Sequence, residues 1–146
     1  MGNPPRKQIE VVAGLIFDRD RLLICQRHHS GAFALKWEFT GGKVETGESA
    51  AAALARELKE ELGIVVGAMK YFHRHIHAYP DGPEVALSFF HIGDYQGEIE
   101  NRVFEQIAWS KLADLPNFDF LDGDLPLVRQ LAADDFAEDL GRFDKV

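Results

Sequence analysis

Three glutamates, Glu57, Glu60 and Glu61, fall within five residues of the stretch "RELKEEL". In a helix, residues one turn apart share a face, and at ~100° per residue these carboxylates span an arc of roughly 100°. Like charges held that close repel and raise one another's pKa. A divalent cation relieves the repulsion, and clustered carboxylate oxygens are ligands that Mg2+ and Mn2+ prefer. Two other readings compete. A solvated helix face, with Arg56 and Glu60 as an i,i+4 pair, needs no ligand at all. A di-iron bundle needs Glu-x-x-His partners on other long helices, and the sequence contains no such motif.

The carboxylates need a helix to present them, and Ser49 to Leu62 has the signals of one. Ser49 suits the N-cap, an alanine run follows, and Gly63 stands just past the end. Leu54, Leu58 and Leu62, with Ala51 and Ala55, form an apolar stripe beside the glutamates, which places the charges at the edge of a buried face. That stripe needs a sheet to pack on. "IEVVAGLIF" (9–17) is apolar on both faces and reads as a buried strand. After the polar turn "DRDR", "LLICQR" (22–27) reads as a second, the two suggesting a hairpin. Short extended pieces are expected around "WEF" (37–39) and "KVE" (43–45), on either side of the Gly41-Gly42 pair. Further strands fit 69–79, 84–92 and 105–109, a helical turn fits 110–115, and a closing helix fits 125–140. Interspersed strands and helices favour a mixed sheet covered by helices, an α+β arrangement.

Around the helix the spacing extends in both directions. Gly42 is followed after five residues by Glu48, then after seven by Arg56-Glu57, Leu58, Glu60-Glu61, Gly63 and Ile64. This resembles, at every specified position, the Nudix box G-x5-E-x7-R-E-U-x-E-E-x-G-U, with U a bulky aliphatic residue. "WEFTGGK" looks like the lead-in W-E-F-P-G-G-K of MutT-type Nudix hydrolases, with Thr40 in place of the proline. "IAWSKLADLP" and "DFLDGDLPLVRQL" are similar to the C-terminal end of that subgroup. The resemblance covers roughly residues 9–132 and implies the Nudix fold, a mixed β-sheet sandwiched between helices (α/β/α). The expectation is one domain over 1–146, with the box at 42–64 and an extension at 133–146 to which no role is assigned.

What the resemblance implies for chemistry is divalent-metal-dependent hydrolysis of a nucleoside diphosphate linked to another group. In the MutT-like case a nucleoside triphosphate gives the monophosphate and pyrophosphate. Carried onto this chain, Glu57, Glu60, Glu61 and the Gly41 carbonyl become ligands for Mg2+ or Mn2+. Arg56 orients them through Glu48 or Glu57, and Glu57 is the family-derived general base. A glutamate outside the box often completes such sites; Glu105 is the candidate, with Glu100 in reserve.

At the substrate end the resemblance places Arg27 near the nucleotide, and a surface arginine at a strand end is the alternative. Lys43 could meet a phosphate or simply face solvent. Phe39 or Trp37 could wall a base pocket, since aromatic faces stack on bases, with core packing as the default for each. Asp124 stands where guanine-reading members carry Asn. An aspartate accepts hydrogen bonds and donates only when protonated, which favours a base edge rich in donors such as cytosine, or a shifted pKa that suits guanine. Capping the last helix is the competing role. His73, His75 and His77 alternate along a strand; H-x-H can bind zinc, and a pocket wall or an ordinary strand face are the alternatives.

Composition narrows the partners. A net charge of -8 over 146 residues argues against gripping a nucleic acid polymer, which needs a basic surface. No apolar run approaches the ~18 residues of a membrane span, and "MGNPPRKQIE" lacks the features of a secretory signal. Cys25, the single cysteine, is read as a small buried residue and fits a reducing cytoplasm. The expectation is a cytoplasmic protein, monomer or homodimer, acting on a small-molecule nucleotide. An oxidised purine or cytosine-type deoxynucleoside triphosphate leads. A dinucleoside polyphosphate or nucleotide sugar is the alternative, and a non-catalytic nucleotide-binding module a further one.

Overall fold

The computed structural model describes residues 7–133. The first strand, β1 (Gln8–Leu15), lies at the centre of a four-stranded mixed sheet. Next come β2 (Phe17–Asp18), β3 (Arg21–Gln26), β4 (Trp37–Glu38) and β5 (Gly41–Lys43), then helix α1 (Ala50–Leu62). The chain continues through β6 (Val65–Val66), β7 (Met69–Ala78), β8 (Glu84–Ile92), β9 (Tyr95–Gln96) and β10 (Gln106–Lys111). The described residues close with two 3-10 turns, Leu112–Asn117 and Asp122–Asp124, and helix α2 (Leu125–Ala132). The first sheet runs β5-β1-β8-β7, with β1 and β8 parallel and the other pairs antiparallel. The second runs β10-β3-β2, with β4 on β3, and β6 and β9 form a small pair of their own.

Why the early strands are apolar on both faces is now visible. Val12, Ile16, Leu23 and Cys25 pack with Leu54, Leu58 and Leu62 of α1 in one core. Their neighbours Ala13, Leu15, Leu22 and Ile24 pack with Leu127, Val128 and Leu131 of α2 in a second. Helices therefore cover both sides, as the α/β/α reading expects. Each fully buried leucine of α1 contributes roughly 1.5–3 kcal/mol by leaving water.

Two local expectations change, and a third is seen only in part. The hairpin of 9–17 with 22–27 is confined to the short pair β2–β3, because β1 belongs to the other sheet and the chain changes sheets at Ile16. The apolar stripe of α1 is Ala53, Leu54, Leu58 and Leu62, with Ala51 and Ala55 only half-buried. The closing helix is seen as Leu125–Ala132; the remainder of its expected span, from 134 on, lies outside the described residues. None of the described helices is long and apolar enough to cross a membrane.

Candidate active site

Helix α1 presents its carboxylates toward the β5 strand. Ser49 Oγ accepts the Ala52 amide at 3.1 Å, and Gly63 closes the helix at φ 73°, the left-handed conformation that glycine adopts without strain. Between those caps Arg56 is the organising residue. Its Nη2 and Nε donate to the two oxygens of Glu48 at 2.7 and 3.2 Å, and its Nη1 donates to Glu57 Oε1 at 2.9 Å. Nη2 also donates to the Lys43 carbonyl at 3.2 Å, tying the helix to β5. Glu60 lies at the rim, 3.6 Å from Arg56 and largely exposed. The bidentate hold pulls the Glu48 carboxyl below its usual range, helped by the Glu45 amide at 2.9 Å. Arg56 is thus hydrogen-bonded to both Glu48 and Glu57.

Glu61 is the one of the three that lines a neighbouring cavity. Burial first, then the Glu57, Glu38 and Glu60 carboxylates, push its pKa up to about 9, with the Gly41 backbone working in the other direction. Its Oε1 is buried and has no hydrogen-bond partner. A buried oxygen without a donor, among carboxylates that repel one another, fits a divalent cation: charge and ligand sphere are both supplied by hard oxygens.

Sequence reasoning did not single out Glu38. Strand β4 pairs with β3 so that Glu38 stands opposite Cys25, and Arg27 Nη1 donates to both of its oxygens, at 3.1 and 3.2 Å. Burial raises the Glu38 pKa against the pull of Arg27. Its carboxylate bears on both Glu61 and Asp124, placing it between the two ends of the site. The alternation of "WEF" on a short strand could have flagged it, had the β3 partner been known.

A cavity of about 410 Å3 is lined by Glu61, Glu38 and Asp124, while Glu57 and Glu60 are not among its lining residues. Gly41, Gly42, Lys43, Gly123 and Tyr79 line it as well. Arg27 and Phe39 line it too, though Phe39 is also a core residue, 5.3 Å ring to ring from Phe120. Its size is within the ~300–1,000 Å3 of small-molecule sites. Trp37 lies in the core against Phe118, at 4.9 Å.

Asp124 occupies the N-cap position of α2 but makes no capping bond with its side chain. It is instead 5% exposed, and burial, then Glu38, raises its pKa well above its ordinary value. The capping role is therefore replaced by a buried acid facing the cavity.

Glu105 has other partners than the α1 ridge: its Oε1 is 3.0 Å from His29 Nδ1. Glu100 pairs with Arg102 at 3.3 Å. The three histidines of β7 do share one half-buried side of the strand, with His77 packed 4.4 Å from Tyr79, but none lines the cavity. Nor do they group as metal ligands among the described residues.

Comparisons with known proteins agree with this geometry. The family model described as NUDIX domain matches residues 7–131. The chain is 34% identical over 127 residues to the CTP pyrophosphohydrolase of Escherichia coli (strain K12), covering 87% of this chain and 93% of that protein. It is 37% identical over 101 residues to the 8-oxo-dGTP diphosphatase of Proteus vulgaris, covering 66% and 87%. The solution structure of the E. coli ORF135 protein superposes with a TM-score of 0.79 at 33% identity, covering 92% of this chain and 97% of that one. A MutT structure from a study of Aliivibrio salmonicida and Vibrio cholerae gives 0.74 at 36%, covering 87% and 98%. With the box, the sandwich and the carboxylate ridge all in place, the chain belongs to the NUDIX hydrolase family.

Proposed function

We propose that the protein hydrolyses a nucleoside triphosphate to the monophosphate and pyrophosphate, with Mg2+ or Mn2+ as the cofactor. The observation that carries this reading is a cavity lined both by the buried acid Asp124 and by Glu61 of the carboxylate ridge. It offers a base-reading end and a phosphate end in one space. Relatives named for CTP and for 8-oxo-dGTP support the same substrate class.

Glu57, Glu60, Glu61 and the Gly41 carbonyl would hold the cation. When bound, it neutralises phosphate charge and lowers the pKa of water in its shell. Arg56 fixes Glu57 so that its carboxylate takes the proton of the attacking water. The water oxygen bonds to the β-phosphorus as the bond from that phosphorus to the α–β bridging oxygen breaks, and the bridging oxygen leaves on the monophosphate. Lys43, at the cavity wall, meets phosphate charge, and Arg27 braces Glu38 beside the nucleotide. Glu105 is left out of this ligand set because its carboxylate is engaged by His29.

At the other end, Asp124 as a neutral acid sets a donor beside an acceptor. Cytosine presents the complement, an acceptor ring nitrogen beside its amino group, and oxidised guanine presents a carbonyl beside a ring N–H. Incubation with Mg2+ and a panel of canonical and oxidised nucleotides tests the reading. Pyrophosphate should be released from a cytosine or oxidised-guanine triphosphate. Orthophosphate as the product, or cleavage of dinucleotides or sugar nucleotides alone, would contradict it.

A further inference from the structure

A second group of ligating side chains lies off the carboxylate helix. His28 and His29 follow β3, and Glu105 precedes β10, 76 positions beyond His29. The sheet fixes both ends: Gln26 pairs with Gln106, and the Glu105 amide donates to the Gln26 carbonyl at 2.9 Å. Glu105 Oε1 lies 3.0 Å from His29 Nδ1, and Oε2 lies 3.8 Å from His28 Nε2. One ligand atom from each of the three residues lies within 4.8 Å of the others.

An ordinary surface hydrogen bond needs one histidine per carboxylate. Here two imidazoles, 4.2 Å apart, turn to the same one. His28 Nδ1 also sits 2.7 Å from Ser30 Oγ. The Ser30 amide donates to that same nitrogen at 3.2 Å, so two contacts hold the ring with Nε2 turned toward Glu105. Imidazole nitrogens favour zinc, cobalt, nickel and copper over magnesium. Two neutral imidazoles and one carboxylate make three protein ligands, leaving a tetrahedral ion one open position.

We propose that His28, His29 and Glu105 bind a transition-metal ion of the zinc type, at a site separate from the magnesium-type ridge on α1. His28 also lines a smaller cavity of about 210 Å3 that reaches Arg27, Glu38 and Glu61. The site therefore stands at the rim of the phosphate end, with its ligands exposed to ions from solution.

The test is a Zn2+ titration of the full chain in saturating Mg2+, read by competition with a chromophoric chelator, and repeated with Co2+ for its visible spectrum. One equivalent of Zn2+ should bind, and Co2+ should give the strong absorption of a tetrahedral site. His29→Ala and Glu105→Gln should each weaken binding by about tenfold or more, while Glu57→Gln and Glu60→Gln leave it unchanged. His28→Gln gives a second variant of the same loop, and circular dichroism checks that each variant folds. Absence of Zn2+ binding over Mg2+ would overturn the proposal. So would binding that survives His29→Ala and Glu105→Gln, or that disappears in Glu60→Gln.

Discussion

Gly42 and Glu57 occupy adjoining space so closely that a β-carbon on Gly42 would lie 2.5 Å from Glu57 Cδ. The first glycine of the box is therefore a seat for its first helix carboxylate. Gly42→Ala should displace Glu57 while leaving the cores intact. A displacement near 1 Å in a catalytic group costs about a hundredfold in rate. Steady-state kinetics should show that loss in kcat, with an unchanged circular dichroism spectrum.

Arg56 holds Glu48 by two nitrogens and Glu57 by a third. Lysine is a single ammonium and cannot reproduce that fork. Arg56→Lys should raise the Mg2+ concentration for half-maximal rate and lower kcat by roughly ten- to a hundredfold, as loss of ligand-orienting partners does elsewhere. Activity titrated against Mg2+ checks both effects.

Glu61 predicts how stability varies with pH. Its folded-state pKa is raised from an ordinary 4.5 to about 9, so the folded protein holds that proton more tightly than the unfolded chain. Its contribution is favourable below about 4.5 and is lost as pH rises toward 9. Without divalent ions, the melting temperature should fall across that range more steeply for the wild type than for Glu61→Gln. Saturating Mg2+ should flatten or reverse the wild-type slope, since it favours the ionised carboxylate. Thermal denaturation at several pH values, with and without Mg2+, decides this.

Asp124 makes a different pH prediction. Burial holds it neutral into a range where an exposed aspartate is ionised. Asparagine offers the same donor and acceptor at every pH. Asp124→Asn should keep substrate recognition near neutrality, and Asp124→Ala should lose it through a higher KM. As pH rises, the wild-type KM should climb while that of Asp124→Asn stays level.

Much of this site could be read in the residues because it is local. The spacing from Gly42 to Ile64 lies within one loop and helix, and Ser49 and Gly63 cap that helix as their types suggest. The double-sided apolar pattern of 9–17 likewise marked a buried strand, and β1 contributes to both cores. What escaped depends on pairing across the chain. Glu38 gains its place only when β4 lies on β3 beside Arg27. Glu105 meets His29 only through the β3–β10 ladder, and β6 and β9, at two residues each, are too short to carry a period. Asp124 has the type and position of a cap, and only its burial beside the cavity removes it from that role.

The most direct measurement is a crystal grown with Mn2+ and a non-hydrolysable nucleoside triphosphate, with the ion located by its anomalous scattering. Manganese should appear between Glu57, Glu60 and Glu61 with phosphate oxygens in its shell, and the base should lie beside Asp124. Nucleotide bound elsewhere, or manganese absent from that turn of α1 while the nucleotide fills the cavity, would contradict the account.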